Sequence, residues 1–152
     1  MTYNVVMEDY IYMAGFFDGE GCIRINKRVR PVSIEYSLFI SLGQKDGACM
    51  DWLVSTFGGH VHKVKRDNSF IWIVSNKKAH EFLEKVIPYL KYKKPQALAA
   101  LQLANGKRTR VLSPEELARR ESIYLEIKRL KHVFEQPMFA GTTTKRIDPK
   151  GM

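Results

Sequence analysis

Residues 13–21, which read MAGFFDGEG, constrain the fold of this chain more than any other segment. Gly15 and Gly19 are four residues apart, so a helix would place both on one face. Because glycine has no side chain, a second helix can approach that face to backbone contact. The segment therefore predicts a helix that packs against another helix through its glycines.

Two acidic residues, Asp18 and Glu20, stand where this helix is predicted to end. The last turn of a helix has unpaired carbonyl groups and a partial negative charge, so a carboxylate there is unfavourable unless a cation is present. Glu20 and the nearby carbonyls therefore form a candidate site for a hard metal ion. A glycine-rich loop with solvated acids explains the same residues, and physical chemistry alone leaves both interpretations open.

The first half of the chain predicts a helix followed by two strands, and then the same order again. The first helix spans about residues 9–19, with Asp9 as its N-cap, and a second spans residues 47–57 and ends at Gly58 and Gly59. Alternating polar and apolar residues predict four strands, at residues 22–29, 34–42, 60–65 and 70–75.

The second half of the chain is predicted to be helical. Asn76 can cap one helix, Pro95 suits the first position of another, and Ser113 with Pro114 starts the last. No linker divides the chain, so we expect one domain over residues 1–136 and a basic tail over residues 137–152. The fold class is α+β.

The charge of the chain favours a polyanionic partner. Its 152 residues include 25 Lys and Arg against 16 Asp and Glu, a net charge of +9, which in a small domain is typical of nucleic-acid binding. No apolar run approaches the ~20 residues of a membrane-spanning helix. The first eight residues lack a secretory pattern, and Cys22 and Cys49 make no disulfide framework. We expect an intracellular protein without a membrane partner.

Residues 13–21 resemble the motif of the LAGLIDADG homing endonucleases and the related intron maturases. The positions that match this motif closely are Ala14, Gly15, Asp18, Glu20 and Gly21. The predicted αββαββα order is also similar to the domain plan of that family. The resemblance implies a saddle-shaped, antiparallel four-stranded sheet.

The resemblance further implies cleavage of double-stranded DNA by a metal-dependent homodimer. In the family, two motif helices pack together and their eighth-position acids bind divalent metal. Glu20 would then be the catalytic metal ligand, with the Gly19 carbonyl as a second ligand, and Mg²⁺, Mn²⁺ or Ca²⁺ as the ion. One motif per chain implies two chains with a symmetric interface and a pseudo-palindromic target. The implied interface residues are Met13, Ala14, Gly15, Phe17 and Asp18.

Two more active-site residues are implied by the same resemblance. Gln44 follows the second strand, where related enzymes carry a glutamine that positions water; a polar strand end explains it equally well. Lys93 lies in a basic stretch similar to one that carries an active-site lysine, which can stabilise charge that develops on the phosphate. A solvated or phosphate-contacting basic loop is the alternative for Lys93.

Strand alternation predicts one sheet face that contacts DNA. Arginine and asparagine can read guanine and adenine edges in the major groove. Phe39 is an unexpected apolar residue on this face, and a solvated charged sheet face is the alternative interpretation. The candidate DNA-contacting residues are Arg24, Asn26, Arg28 and Arg30, then Glu35, Ser37 and Ser41, and finally His60, His62, Lys65 and Arg66.

The resemblance to this family implies a site-specific endonuclease that cuts both DNA strands and leaves staggered ends. Two other functions on the same scaffold remain open: a maturase that binds intron RNA, and a regulator that binds DNA without cleaving it. The acidic residue Glu20 favours an enzyme over the regulator, but it does not exclude a bifunctional maturase.

Overall fold

The computed structural model describes residues 4–103 and 112–135, in which helices cover one face of an antiparallel sheet. The order confirms the predicted α+β fold with its αββαββα core. The elements are α1 (Met7–Glu20), β1 (Gly21–Val29), β2 (Ile34–Gln44), α2 (Ala48–Phe57), β3 (His60–Val64), β4 (Ser69–Ser75), α3 (Asn76–Val86), a 3₁₀ turn (Ile87–Tyr89), α4 (Lys94–Leu101) and α5 (Pro114–Glu135).

The sheet has the order β1-β2-β4-β3, and every neighbouring pair is antiparallel. Both predicted hairpins are present, and β2 joins them by pairing with β4. Strand β2 is two residues longer than predicted, because Gly43 and Gln44 still pair with β4. Strand β3 ends at Val64, so Lys65 and Arg66 lie in the turn before β4 and not in the strand.

The hydrophobic core lies between the helices and one face of the sheet. Alternate residues of β1, β2 and β4 point inward and are almost fully buried, as period-two patterning requires. The Trp72 ring packs edge-on against Phe57 and Phe82, and its indole N–H donates to the Gly58 carbonyl at 2.8 Å. The buried strand residues are Ile23, Ile25, Tyr36, Leu38, Ile40, Leu42, Trp72 and Val74.

The helix starts lie within one or two residues of the predicted signals. Helix α3 has Ser75 as its N-cap, so Asn76 is its first residue and not its cap, and Pro95 is the second residue of α4. The largest shift is in α1. This helix begins at Met7 with Val6 as N-cap, and the Asp9 carboxylate accepts the Val6 backbone N–H at 3.1 Å. Asp9 is therefore not the N-cap, although it satisfies an unpaired donor of the first turn. At α5, the Ser113 hydroxyl accepts the backbone N–H of Glu116 at 3.2 Å, as the capping signal predicts.

Two glycines end α2 and set the position of β3 at the edge of the sheet. Gly58 and Gly59 have φ angles of 77° and 82°, a region that favours glycine. A Cβ atom on Gly59 would lie 2.5 Å from the Ile73 carbonyl oxygen of β4. The close approach of β3 to β4 therefore depends on glycine at this position.

The predicted domain end and the basic tail fall on residues 136–152, which lie outside the described residues. Within the two described ranges, no helix is both long and apolar enough to cross a membrane.

Candidate active site and nucleic-acid interface

The C-terminal end of α1 holds the predicted metal ligand in an exposed position. Phe17 is fully buried and anchors the helix, whereas Gly19 and Glu20 are exposed in its last turn. The Gly21 backbone N–H donates to the Phe17 carbonyl, and a Cβ atom on Gly21 would overlap the Phe17 ring. Glycine at position 21 thus lets the chain pass directly from helix to strand, with the Glu20 carboxylate at the junction.

Asp18 holds a second segment against this helix end. Its Oδ2 atom accepts the backbone N–H groups of Lys91 at 2.6 Å and Tyr92 at 3.2 Å. Its Oδ1 atom accepts the backbone N–H of Lys93 at 2.9 Å. The Lys93 ammonium group then donates to the backbone carbonyl of Asp18 at 2.6 Å. The predicted active-site lysine therefore lies at the end of the motif helix, beside Glu20.

The surroundings of Lys93 lower the pKa of its ammonium group. Partial burial lowers the pKa of the Lys93 ammonium group, and the negative charges of Asp18 and Glu20 oppose that shift. A cation held next to a helix C-terminus also offsets the partial negative charge of the helix. The half-buried Lys93 side chain is held at the Asp18 carbonyl, where its ammonium group can stabilise negative charge at this helix end.

Gln44 lies at the same end of the sheet as Glu20. Leu42 of β2 is paired with Gly21, the residue that follows Glu20, and Gln44 ends the same strand two residues later. That is roughly 7 Å further along the strand. Gln44 is paired with Phe70 and is half-buried, and it ends β2 on the side of the α1–β1 junction.

The donor atoms at the end of α1 fit a hard divalent cation. The Glu20 carboxylate and the Gly19 carbonyl supply oxygen ligands, which Mg²⁺ and Ca²⁺ prefer. In residues 4–103 and 112–135, no three His, Cys, Asp or Glu side chains cluster into a metal site. Within those described residues, the end of α1 offers the Glu20 carboxylate and the Gly19 carbonyl as oxygen donors.

Sequence reasoning missed Lys131, which reaches the same region from α5. Its ammonium group donates to the Cys22 sulfur at 3.3 Å, and Cys22 is the second residue of β1. The two residues are 109 positions apart in sequence. A contact at this separation leaves no signal in local periodicity or spacing.

Four of the five residues predicted to pack against a second helix make contacts within their own chain. Met13, Ala14 and Phe17 have an exposed fraction of 0 %, because they pack into the core of their own chain. The Asp18 carboxylate is likewise occupied by the backbone of residues 91–93. Of the five predicted residues, Gly15 is the one that is exposed.

The exposed face of α1 is a strip of apolar and small residues. Ile11 is 47 % exposed and Tyr12 is 63 % exposed, and Gly15 and Gly19 follow on the same face. A Cβ atom built on either glycine would meet no heavy atom within 4 Å. This open strip is the part of α1 that a second helix can contact.

The polar face of the first hairpin has the predicted strand phase. Arg24 is paired with Phe39, Asn26 with Ser37 and Arg28 with Glu35, and directly paired residues point to the same side of a sheet. The Arg24 guanidinium lies 5.4 Å from the centroid of the Phe39 ring. Phe39 therefore belongs to this face, where it supports an arginine by a cation–π contact.

The second hairpin continues the same face. His60 is paired with Ile73 and His62 with Ile71, and the two imidazole rings are 4.8 Å apart. Ser41 is also paired with Ile73, which joins the two hairpins into one surface.

Basic residues flank this surface at both hairpin turns. Lys65 and Arg66 are exposed in the β3–β4 turn. Arg30 lies in the β1–β2 turn, with its Nε atom 3.3 Å from the Glu35 carboxylate.

A sheet face that carries basic residues, next to a carboxylate at a helix end, is typical of α+β proteins that act on nucleic acids. A family model described as "LAGLIDADG endonuclease" matches residues 13–98, more than half of the chain. The chain belongs to the LAGLIDADG endonuclease family. No curated protein matches the sequence at a significant level.

Solved structures of homing endonucleases share this fold. The archaeal intron-encoded I-Vdi141I, complexed with DNA, has 21% identity and a TM-score of 0.71 over 84% of this chain and 93% of its own. I-CvuI, complexed with DNA in the presence of Mg, has 21% identity and a TM-score of 0.59 over 82% and 96%. I-SmaMI has 21% identity and a TM-score of 0.63, but its match covers 81% of this chain and only 44% of its own.

Proposed function

We propose that this chain acts as a homodimer that cuts both strands of a specific double-stranded DNA site with a divalent metal. The observation that carries the proposal is the position of Glu20. It is exposed at the end of the motif helix, beside Lys93, and at the end of a sheet with a basic face. Each chain has one motif and therefore supplies half of the catalytic apparatus.

The exposed strip on α1 supports the homodimer. Gly15 and Gly19 leave room for a second helix, and Ile11 and Tyr12 offer apolar area that association would bury. A second copy of α1 on this strip would bring two Glu20 carboxylates together. The I-SmaMI chain is matched over 44% of its length, so one such chain has room for two units of this size.

The exposed sheet face supports DNA as the partner. Arg24, Asn26 and Arg28 project from one side of β1, where they can contact base edges in the major groove. Lys65 and Arg66 in the turn are suited to phosphate contacts, which position the duplex. Because a symmetric dimer presents this face twice, the target is a long pseudo-palindrome, and sites set apart on the two strands leave staggered ends.

The chemistry assigned to each side chain follows from its position. A bound divalent ion would lower the pKa of a water molecule and offset charge on the scissile phosphate. Glu20 and the Gly19 carbonyl would hold that ion. Lys93 would stabilise negative charge on the phosphate, and Gln44 would orient the attacking water.

The proposal is tested by cleavage of a plasmid library that carries a randomised palindromic insert. Plasmids that the protein cuts are recovered from the library and sequenced, which gives the selected site. We expect plasmids with the selected site to be linearised with Mg²⁺ and left intact with EDTA. Glu20→Gln should bind the same DNA but cut at least about 100-fold more slowly, because it removes a group that acts on the transition state. Glu8→Gln makes the same change in the exposed first turn of α1 and should cut normally.

Three results would contradict the proposal. They are cleavage in EDTA, an unchanged rate in Glu20→Gln, and DNA binding without cleavage in Mg²⁺, Mn²⁺ and Ca²⁺. The last result would support a non-cleaving regulator. Tighter binding to intron RNA than to any duplex would support a maturase.

A further inference from the structure

We infer that Asp18 is the positioning residue for Lys93, and that it fixes this lysine relative to Glu20. The inference rests on the proposed function, because it assigns a role within the same site. It concerns the coupling of two chain segments that are 73 to 75 residues apart in sequence.

One carboxylate holds three consecutive backbone amides. Asp18 accepts the N–H groups of Lys91, Tyr92 and Lys93 at 2.6, 3.2 and 2.9 Å. Hydrogen bonds to an ionised acceptor are about twice as strong as neutral ones. Because the donors are backbone atoms, Asp18 fixes the path of the segment whatever side chains it carries.

The side chains of this segment differ in a way that singles out Lys93. Tyr92 is 69 % exposed and Lys91 is also exposed, so neither packs into the chain. Lys93 instead is half-buried, and its ammonium group returns to the Asp18 carbonyl at 2.6 Å. Asp18 therefore contacts Lys93 twice. Its carboxylate accepts the Lys93 backbone N–H, and its backbone carbonyl accepts a hydrogen bond from the Lys93 ammonium group.

The segment has a second anchor on its other side. Lys93 precedes α4, and its carbonyl accepts the backbone N–H of Ala97 at 2.9 Å. The Lys93 backbone is thus held from both sides, and the Asp18 carbonyl holds its ammonium group. Since Asp18 is two residues before Glu20 on α1, movement of the helix end would carry the metal ligand and the lysine together.

The rate of catalysis depends on the position of the Lys93 ammonium group relative to Glu20. A displacement of about 1 Å in a catalytic group can cost about 100-fold in rate. Without the Asp18 carboxylate, the Lys93 side chain remains present but its position beside Glu20 is no longer fixed. We therefore expect loss of Asp18 to reproduce most of the effect of losing Lys93.

The test combines three chains with two measurements. Asp18→Asn, Lys93→Met and the double variant are compared in single-turnover cleavage with Mg²⁺ and in DNA binding with Ca²⁺. We expect Asp18→Asn to cut about 100-fold more slowly, with DNA affinity within about twofold of the parent chain. The double variant should cut no more slowly than Lys93→Met, because Asp18 acts through Lys93.

Amide hydrogen exchange supplies a readout that does not depend on cleavage. The amides of residues 91–93 should exchange faster in Asp18→Asn, while those of β2 keep their protection. Asp9→Asn is the matched control, since Asp9 lies on the same helix and also accepts a backbone N–H. It should change neither the cleavage rate nor exchange at residues 91–93.

Distinct outcomes would overturn the inference. These are a normal cleavage rate in Asp18→Asn, a double variant slowed by the product of both factors, or unchanged exchange at residues 91–93. If Asp18→Asn does not fold, Asp18→Glu keeps the charge but moves the acceptor, and the same three criteria apply. If the parent chain cuts no DNA, the proposed function fails, while exchange still decides whether Asp18 holds the segment.

Discussion

Replacing Gly15 with alanine is expected to stabilise one chain and to weaken the association of two. Gly15 lies in the middle of α1, and a Cβ atom built there meets no heavy atom within 4 Å. In an isolated chain, alanine in place of an interior helix glycine gains about 1 kcal/mol. In the proposed dimer, the added methyl group occupies the space that the partner helix needs.

The size of the second effect follows from symmetry. A symmetric interface carries two added methyl groups, and overpacking costs about 1–3 kcal/mol for each. The dimer free energy should therefore weaken by about 2–6 kcal/mol, so the dissociation constant rises at least about 30-fold. The opposite signs of the two effects make the prediction specific to a helix–helix interface.

Sedimentation equilibrium measures the dissociation constant, and urea unfolding at several protein concentrations separates chain stability from association. Leu125→Ala is the control, because Leu125 is 53 % exposed and belongs to α5 and not to α1. An unchanged dissociation constant in Gly15→Ala would refute the proposed interface. A less stable isolated chain would refute the assignment of Gly15 to open space.

Three further predictions concern the sheet face, the last helix and the α2–β3 junction. Phe39→Ala removes the ring under Arg24, worth about 0.5–1 kcal/mol, so affinity for the selected DNA site should fall about two- to fivefold by fluorescence anisotropy. Hydrogen bonds from two arginines lower the pKa of Glu116 from 4.5 to about 2. The stabilising contribution of the Glu116 carboxylate is therefore complete at pH values above its ordinary pKa of 4.5 and is lost as the pH falls towards 2. Urea unfolding should show Glu116→Gln to be less stable than the parent chain near neutral pH and equally stable near about pH 2. Gly59→Ala should lower the melting temperature by about 4–8 °C in calorimetry, because φ is 82° and the new Cβ atom meets the Ile73 carbonyl at 2.5 Å.

Each of these has a result that would count against it. For the sheet face, the contrary result is that Phe39→Ala loses as much affinity for unrelated DNA as for the selected site. That result would show that Phe39 contributes to folding and not to recognition of the site. For α5, it is a Glu116→Gln difference that persists in acid. For the junction, it is a melting temperature equal to that of the parent chain.

Local sequence signals were sufficient for most of the fold. Strand alternation placed Arg24, Asn26 and Arg28 on one side of β1, and the pairing with β2 has that phase. The glycines after α2 and the Ser113–Pro114 pair mark helix ends through rules that act within a few residues. These elements were predictable because their cause lies inside the element.

The features that local signals leave open depend on contacts between distant segments. Met13 and Phe17 repeat at helical spacing, but α1 has apolar residues on two faces, and periodicity does not tell which face meets the chain's own core. The hydrogen bonds from residues 91–93 to Asp18 join segments more than 70 residues apart. The resemblance implied Lys93 as an active-site residue, whereas only the folded chain connects it to Asp18.

The central claim is that one chain supplies half of an active enzyme, and a mixing experiment tests it most directly. Parent and Glu20→Gln chains are refolded together in varied proportions, and double-strand cleavage of the selected site is measured with Mg²⁺. We predict that activity falls as the square of the parent fraction, because only dimers with two Glu20 carboxylates cut both strands, leaving about a quarter of the activity in an equal mixture. Activity that falls in simple proportion to the parent fraction would contradict the account.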